Sequence, residues 1–306
     1  MIPDTVFQHK NKYLLLLAIL FFAPVPISKG CGPYDTSFYG YSFLNPKIIN
    51  LGSKNASYFA GFEELFKQMG TKQNIQAQDN IAEWRSRFCD IPKAQDLHQL
   101  IYKTPINQIR ILSSNLRQKN TPLPPYLANN TFAAHLKKNA CTEAVDYLFF
   151  AKKCEPHVIA SNGWKTPLRD TVAMSFLIKD GVKSFRRTKS HYFKLRYAYQ
   201  LIRLAHYKKN YGEVLELYDY LLPKIDNEKS LIEDWIEGHR AGALTKLGRH
   251  VEASYLYAKI FDNCPSKRTS AYRSFKILTD QEWIDCLKLC QNNQERATLY
   301  LSLIHI

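Results

Sequence analysis

From residue 58 onward, apolar side chains recur at helical spacing, and no stretch alternates as a half-buried strand would. Tyr58, Phe62, Leu65 and Phe66 form an i, i+4, i+7, i+8 stripe. Ile81–Phe88 with Trp84, Leu97–Tyr102 and Ile106–Leu116 predict three further helices. Lys119–Asn130, with three prolines and two adjacent asparagines, reads as a linker or exposed loop. Phe132–Lys138 and Thr142–Lys153 follow as a helical pair, then a loop over Ser161–Asp170 that contains Gly163, Trp164 and Pro167. Thr171–Lys179 is predicted to be helical and to end near Gly181, acting as a C′ glycine. Tyr192–Lys209 then opens the most regular part of the chain. The expected fold class is all-α.

Arg196–Pro265 reads as two helix-turn-helix units laid end to end. The second, Trp235–Pro265, places Ala241, Leu244, Ala253, Tyr257 and Ile260 where two helices must cross closely. The first, Arg196–Pro223, repeats the scheme with Ile202, Ala205, Val214, Tyr218 and Leu221. A third unit is expected from Ala271–Leu278, Trp283–Leu289 and Gln294–Leu301. A helix pair of this size cannot bury its apolar faces alone, so such pairs stack into an α-solenoid. These units resemble tetratricopeptide (TPR) repeats, with Gly248 in the turn and Pro265 closing the second unit. Tyr211 and His250 mark equivalent turn positions about 39 residues apart, where that family has roughly 34. Ile202 and Val214 stand where the family has small residues, which implies wider helix crossings in the first unit.

The first thirty residues carry an address. Lys10 and Lys12 precede a ten-residue apolar run, Tyr13–Phe22, and Pro24 and Pro26 then break it. Ten residues rise about 15 Å in a helix, half of a ~30 Å hydrocarbon core, so the run reads as a secretory signal rather than a membrane span. Cys31 after Gly30 suggests lipidation as one route of processing; ordinary cleavage near Gly30 is the other. The expected organisation is a signal peptide over 1–30, an extended arm or cap over 31–56, an irregular helical region over 57–190 and TPR-like repeats over 191–301. Residues 302–306 resemble translated sequencing-adapter sequence, which predicts that the natural chain continues past residue 301.

The formal charge is +15. Lys10, Lys12 and Lys29 against Asp4 account for two of those charges, so the exported chain keeps about +13. For an exported protein this points to anionic lipid, acidic glycan or acidic protein, and away from nucleic acid. Membrane contact is expected only through lipidation at Cys31. The seven cysteines form no C-x-x-C, and buried free thiols are the preferred reading.

No metal, cofactor or catalytic site is expected. His135, His206, His239 and His250 lie on predicted helices without metal-ligand spacing, and Ser-nucleophile and phosphate-binding motifs are missing from the sequence. Glu63-Glu64 and Glu233-Asp234 are adjacent, so their side chains point about 100° apart and read as solvated faces. By resemblance to TPR solenoids, the first helix of each pair lines a concave surface. That places Arg196, Tyr199, Arg203, His206 and Tyr207 on the inner face, with Trp235 and Lys246 from the second unit. Gly238 and Gly242 would leave a shallow pocket beside Trp235. Arginine forks and tyrosines suit an acidic peptide or glycan.

The Cys-Gly-Pro-Tyr motif at 31–34, Phe43-Leu44-Asn45-Pro46 and the Leu195–Tyr218 repeat also resemble large exported repeat proteins of Gram-negative bacteria. The sequence therefore predicts a non-catalytic scaffold of the bacterial envelope, in the periplasm or at the outer membrane or cell surface, binding a protein or peptide. Two alternatives stay open: a glycan-binding surface lipoprotein using Trp164 and Trp235, and the docking region of a longer enzyme.

Overall fold

The computed structural model describes residues 75–118, 122–158, 170–226 and 230–304. These residues form fourteen α-helices and no strand, so the fold is all-α as the periodicity implied. Among them, no helix is long and apolar enough to cross a membrane. The signal segment, Cys31, the 31–56 arm, the Tyr58–Phe66 stripe, Trp164 and residues 305–306 lie outside the described residues.

Helix α1 spans Ile75–Arg87, and α2, Ala94–His98, runs into a π turn over Gln99–Lys103. Then come α3 (Ile106–Gln118), α4 (Pro125–Ala128), α5 (Thr131–Lys138), α6 (Thr142–Val158) and α7 (Thr171–Arg187). The regular part comprises α8 (His191–Tyr207), α9 (Tyr211–Leu221), α10 (Leu231–Lys246) and α11 (His250–Asn263). Three helices close the described chain: α12 (Arg268–Ser274), α13 (Asp280–Leu289) and α14 (Asn293–Ile304).

Helices α8 to α11 match the two expected units, and their turns are built alike. Asn210 caps α9 by accepting from the Glu213 N–H, whereas Arg249 at the start of α11 makes no side-chain cap; the backbone of the two turns is what they share. Lys209 (φ 63°) and Gly248 (φ 80°) take the left-handed conformation at corresponding places in the two turns. In each case the next residue's N–H reaches back to a carbonyl near the end of the preceding helix, Asn210 to Ala205 at 3.1 Å and Arg249 to Leu244 at 2.9 Å. That is the C-cap in which a left-handed residue satisfies orphan carbonyls. Helices α9 and α11 both lead into a short 3-10 turn with a proline in its first two positions, Leu222–Lys224 and Pro265–Lys267.

The packing order extends one pair further back than the sequence suggested. α8 packs on α6 and α10, while α7 lies against α8 and α9 against α10. Helices α6 and α7 both pack on α8, ahead of the two expected units. Gly181 explains why this was hidden. It does not end α7, which runs on to Arg187. A Cβ there would sit 2.4 Å from Phe150 Cζ and 2.5 Å from Leu201 Cδ2, so the glycine lets α7 approach α6 and α8. α8 is enclosed by its neighbours, with Phe193, Leu195, Tyr197, Leu201, Ile202 and Leu204 all buried.

The expected linker at 119–130 is also corrected. Its described part contains α4, and Leu127 is fully buried. Asn130 is buried too: its side chain accepts from Phe132 N and Ala133 N and donates to the Asp96 carbonyl. Proline and asparagine here start helices rather than loosen the chain. Downstream, Ala258, Cys286, Cys290 and Leu299 form a small second core beneath α11, α13 and α14. The six described cysteines are free thiols, four of them buried.

Candidate functional site

The inner faces of α6, α8 and α10 meet a helix that the repeat pattern did not place there. Helix α1 keeps its backbone close to α2 and the Pro265–Lys267 turn, and reaches α6 and α8 through long side chains. Trp84 is fully buried among rings, with centroids 5.6 Å from Phe132, 6.0 Å from Tyr147, 5.8 Å from Tyr192 and 5.7 Å from Phe193. One turn before it, Asn80 Nδ2 donates to the Tyr102 hydroxyl at 2.7 Å.

This arrangement decides the fate of Arg196. It is 2% exposed, donates to Asn80 Oδ1 at 2.7 Å and pairs with Glu83 at 3.1 Å. Its guanidinium carbon lies 4.9 Å from the Trp84 ring centroid and 4.5 Å from that of Tyr192. Glu83 also accepts from the Ser230 hydroxyl at 2.7 Å, tying the start of α10 to α1. Arg196 was expected to face a partner. It instead fastens α1 to the repeat, because a buried cation requires a paired and hydrogen-bonded surrounding.

Two turns along the same helix the environment reverses. Arg203 is half-buried, and its guanidinium lies 5.7 Å from the Tyr199 ring and 5.9 Å from that of Tyr207. Among the described residues no carboxylate pairs with it. Tyr199 continues to Trp235 at 5.7 Å and His239 at 5.8 Å, and His239 to His206 at 5.1 Å. Lys267 sits 5.7 Å from the Trp235 ring and donates to Gln76 of α1 at 3.0 Å.

The titration behaviour reflects burial first and repulsion from neighbouring cations second. Burial holds the His206 imidazole below its ordinary value, and nearby Lys246 adds to this. Burial holds His239 well below its ordinary value, with His206, Arg203 and Lys267 all contributing. Lys267 is lowered by burial, with Arg203 adding repulsion. These groups repel one another without a described anion between them.

Of the seven expected residues, the structure therefore brings Tyr199, Arg203, His206, Tyr207 and Trp235 into one belt, with Lys246 exposed at its edge. Tyr199 and Trp235 are buried, so their rings are walls of this belt rather than an open platform. The shallow pocket expected at the two glycines is not there. A Cβ on Gly242 would meet His206 Cε1 at 2.7 Å, so the imidazole fills that space, and the nearest atom to Gly238 is Ile260 on α11.

Sequence reasoning predicted the helix around Trp84 and named His239 but placed neither at this site, and it missed Lys267. His239 could have been placed here, since it stands one turn after Trp235 on the same face. Lys267 follows Pro265 and carries no periodic signal.

On the outer side, α10 presents Glu233, Asp234 and Glu237. Burial and repulsion from Glu233 and Glu237 raise the Asp234 carboxyl to about 6, so this face is less solvated than adjacent acids suggest. The Tyr218 hydroxyl donates to Glu237, and Arg240 lies over the Tyr218 ring. Among the described residues no group of three or more His, Cys, Asp or Glu could hold a metal ion. No known family model, curated protein or solved structure matches this chain.

Proposed function

We propose that this chain is a helical-repeat binding module, TPR-like in architecture, that captures an acidic peptide or protein segment along the inner faces of α8 and α10. The observation that carries this reading is the belt in which the cations Arg203 and Lys267, beside the neutral imidazoles of His206 and His239, are set among Tyr199, Tyr207 and Trp235 with no described carboxylate to offset them. Uncompensated cations held at fixed positions by packed rings bind carboxylates with little reorganisation. The role is binding rather than catalysis. With the leader-like N-terminus, the proposed place of action is the bacterial envelope. Of the two tryptophans in the glycan alternative, Trp235 is buried and Trp164 lies outside the described residues.

The experiment is a fluorescence-anisotropy titration with labelled deca-glutamate and, in parallel, deca-lysine. Saturable binding of the glutamate peptide that weakens as salt is raised, with no binding of the lysine peptide, supports the reading. Equal binding of both peptides, or of neither, rejects it.

A further inference from the structure

A cavity of about 210 Å³ lies under α1, between it, the π turn and the inner faces of α6, α8 and α10. It exists because α1 is propped on long side chains rather than packed backbone to backbone. Helix α1 and the regular helices are joined above it by Arg196, Asn80 and Trp84.

The lining is a built one. Trp84 and Gln200 both line the cavity, at 0% and 7% exposure. The Trp84 indole N–H and the Gln200 Oε1 have no hydrogen-bond partner, although Gln200 Nε2 donates to the Tyr147 hydroxyl at 3.4 Å. A buried donor and a buried acceptor left open beside one cavity are costly unless something occupies it.

Charge sets the rest. Three cations line the space: Lys152, Arg196 and Arg203. Lys152 is paired with Glu155 at 3.0 Å and Arg196 with Glu83 at 3.1 Å. Arg203 has no described carboxylate, so the cavity is short of one negative charge. Tyr147, Tyr199, Trp235, Ile101 and Leu148 supply apolar wall, and Gln76 and Asn80 add further polar groups. Arg196 and Arg203 lie two turns apart on α8, a separation of about 10 Å along the axis.

From these features we infer that the cavity is a binding site for a small hydroxylated aromatic carboxylic acid. Its carboxylate meets Arg203, its ring lies between the tyrosines and Trp235, and its hydroxyl accepts from the Trp84 N–H while donating to Gln200 Oε1. This site shares Tyr199, Arg203 and Trp235 with the proposed peptide belt but does not rest on the peptide reading.

The test is isothermal titration calorimetry of the whole chain with three probes: 4-hydroxybenzoate, its neutral isostere 4-hydroxybenzamide, and benzoate. The inference expects 4-hydroxybenzoate to bind at least ten-fold tighter than the amide and several-fold tighter than benzoate. Arg203→Gln should erase the preference for acid over amide, and Gln200→Leu the preference for the hydroxyl. Ala151→Leu, which fills the cavity from α6, should abolish binding of all three while leaving the deca-glutamate titration unchanged. Equal affinity for the acid and the amide, or no heat from 4-hydroxybenzoate with the folded wild-type chain, overturns the inference. Both of those comparisons use wild-type protein, so they hold even where a variant misfolds.

Discussion

Arg196 and Arg203 stand two turns apart on one helix and one face, and the molecule uses them in opposite ways. Around Arg196, α1 supplies Glu83, Asn80 and Trp84, and the guanidinium is sealed in. Around Arg203 the neighbours are tyrosines, histidines and Lys267, with no described carboxylate. Residue type and helical register are the same. What differs is whether a segment more than a hundred residues away in sequence returns with a counter-charge. An inner-face arginine is therefore a binding candidate only where the rest of the chain has left it uncompensated.

The largest effect should come from breaking the sealed half. Glu83→Ala leaves Arg196 buried without its anion and should cost about 3–5 kcal/mol. Urea denaturation would measure this, and Glu83→Gln, which keeps a hydrogen-bond acceptor, should cost less. A loss under about 1 kcal/mol for the alanine variant would mean that α1 does not hold Arg196 as described.

The outer face of α10 provides a second contrast, since its acids repel one another as the inner cations do. Asp234 is raised to about 6 by burial and by Glu233 and Glu237, so its ionised form opposes folding at neutral pH. Asp234→Asn should stabilise the protein by roughly 1–2 kcal/mol at pH 8. The gain should fade as the pH falls below 6, where the wild-type carboxyl is protonated in the folded state. Thermal unfolding from pH 4.5 to 8 would follow it.

Protonation of the inner belt has the opposite sign. His206 and His239 are held below the ordinary 6.5, so the unfolded chain binds protons more tightly than the folded one as the pH drops beneath that value. In the Asp234→Asn background, stability should be full above pH 6.5 and decline below it, lowering Tm by a few degrees by pH 5.5. Saturating deca-glutamate should shrink that decline, because the anion neutralises the imidazolium charges.

The smallest expected effect is at Gly242. Alanine there gains about 1 kcal/mol in helix propensity but displaces the His206 ring, so net stability should change little. Affinity for deca-glutamate should fall a few-fold by anisotropy, because the belt loses its arrangement rather than its charges.

Much of the regular fold was legible from residues. Helices α8 to α11 followed from apolar spacing, and the two turns followed from Gly248 and the equivalent positions Tyr211 and His250. Gly181 misled because a glycine that ends a helix and one that admits a neighbouring helix look alike until the neighbour is known. Asn130 misled for a related reason: beside prolines it suggested a loop, yet its side chain caps α5 and holds the Asp96 carbonyl.

The candidate site was legible in composition but not in accessibility. Tyr199, Arg203, His206, Tyr207 and Trp235 share a face by helical register, which sequence can give. That Arg196 leaves this set depends on Glu83 returning from α1, and that Lys267 joins it depends on the path after Pro265. Both are long-range placements without local periodicity.

The most direct test is the deca-glutamate titration of Arg203→Gln beside wild type, with unfolding curves measured for both. Arg203→Gln should keep stability within about 1 kcal/mol of wild type, since it breaks no described ion pair, and should lose at least ten-fold in affinity. Wild-type affinity in a folded Arg203→Gln variant would contradict the account, because the uncompensated arginine would then not be what the ligand recognises.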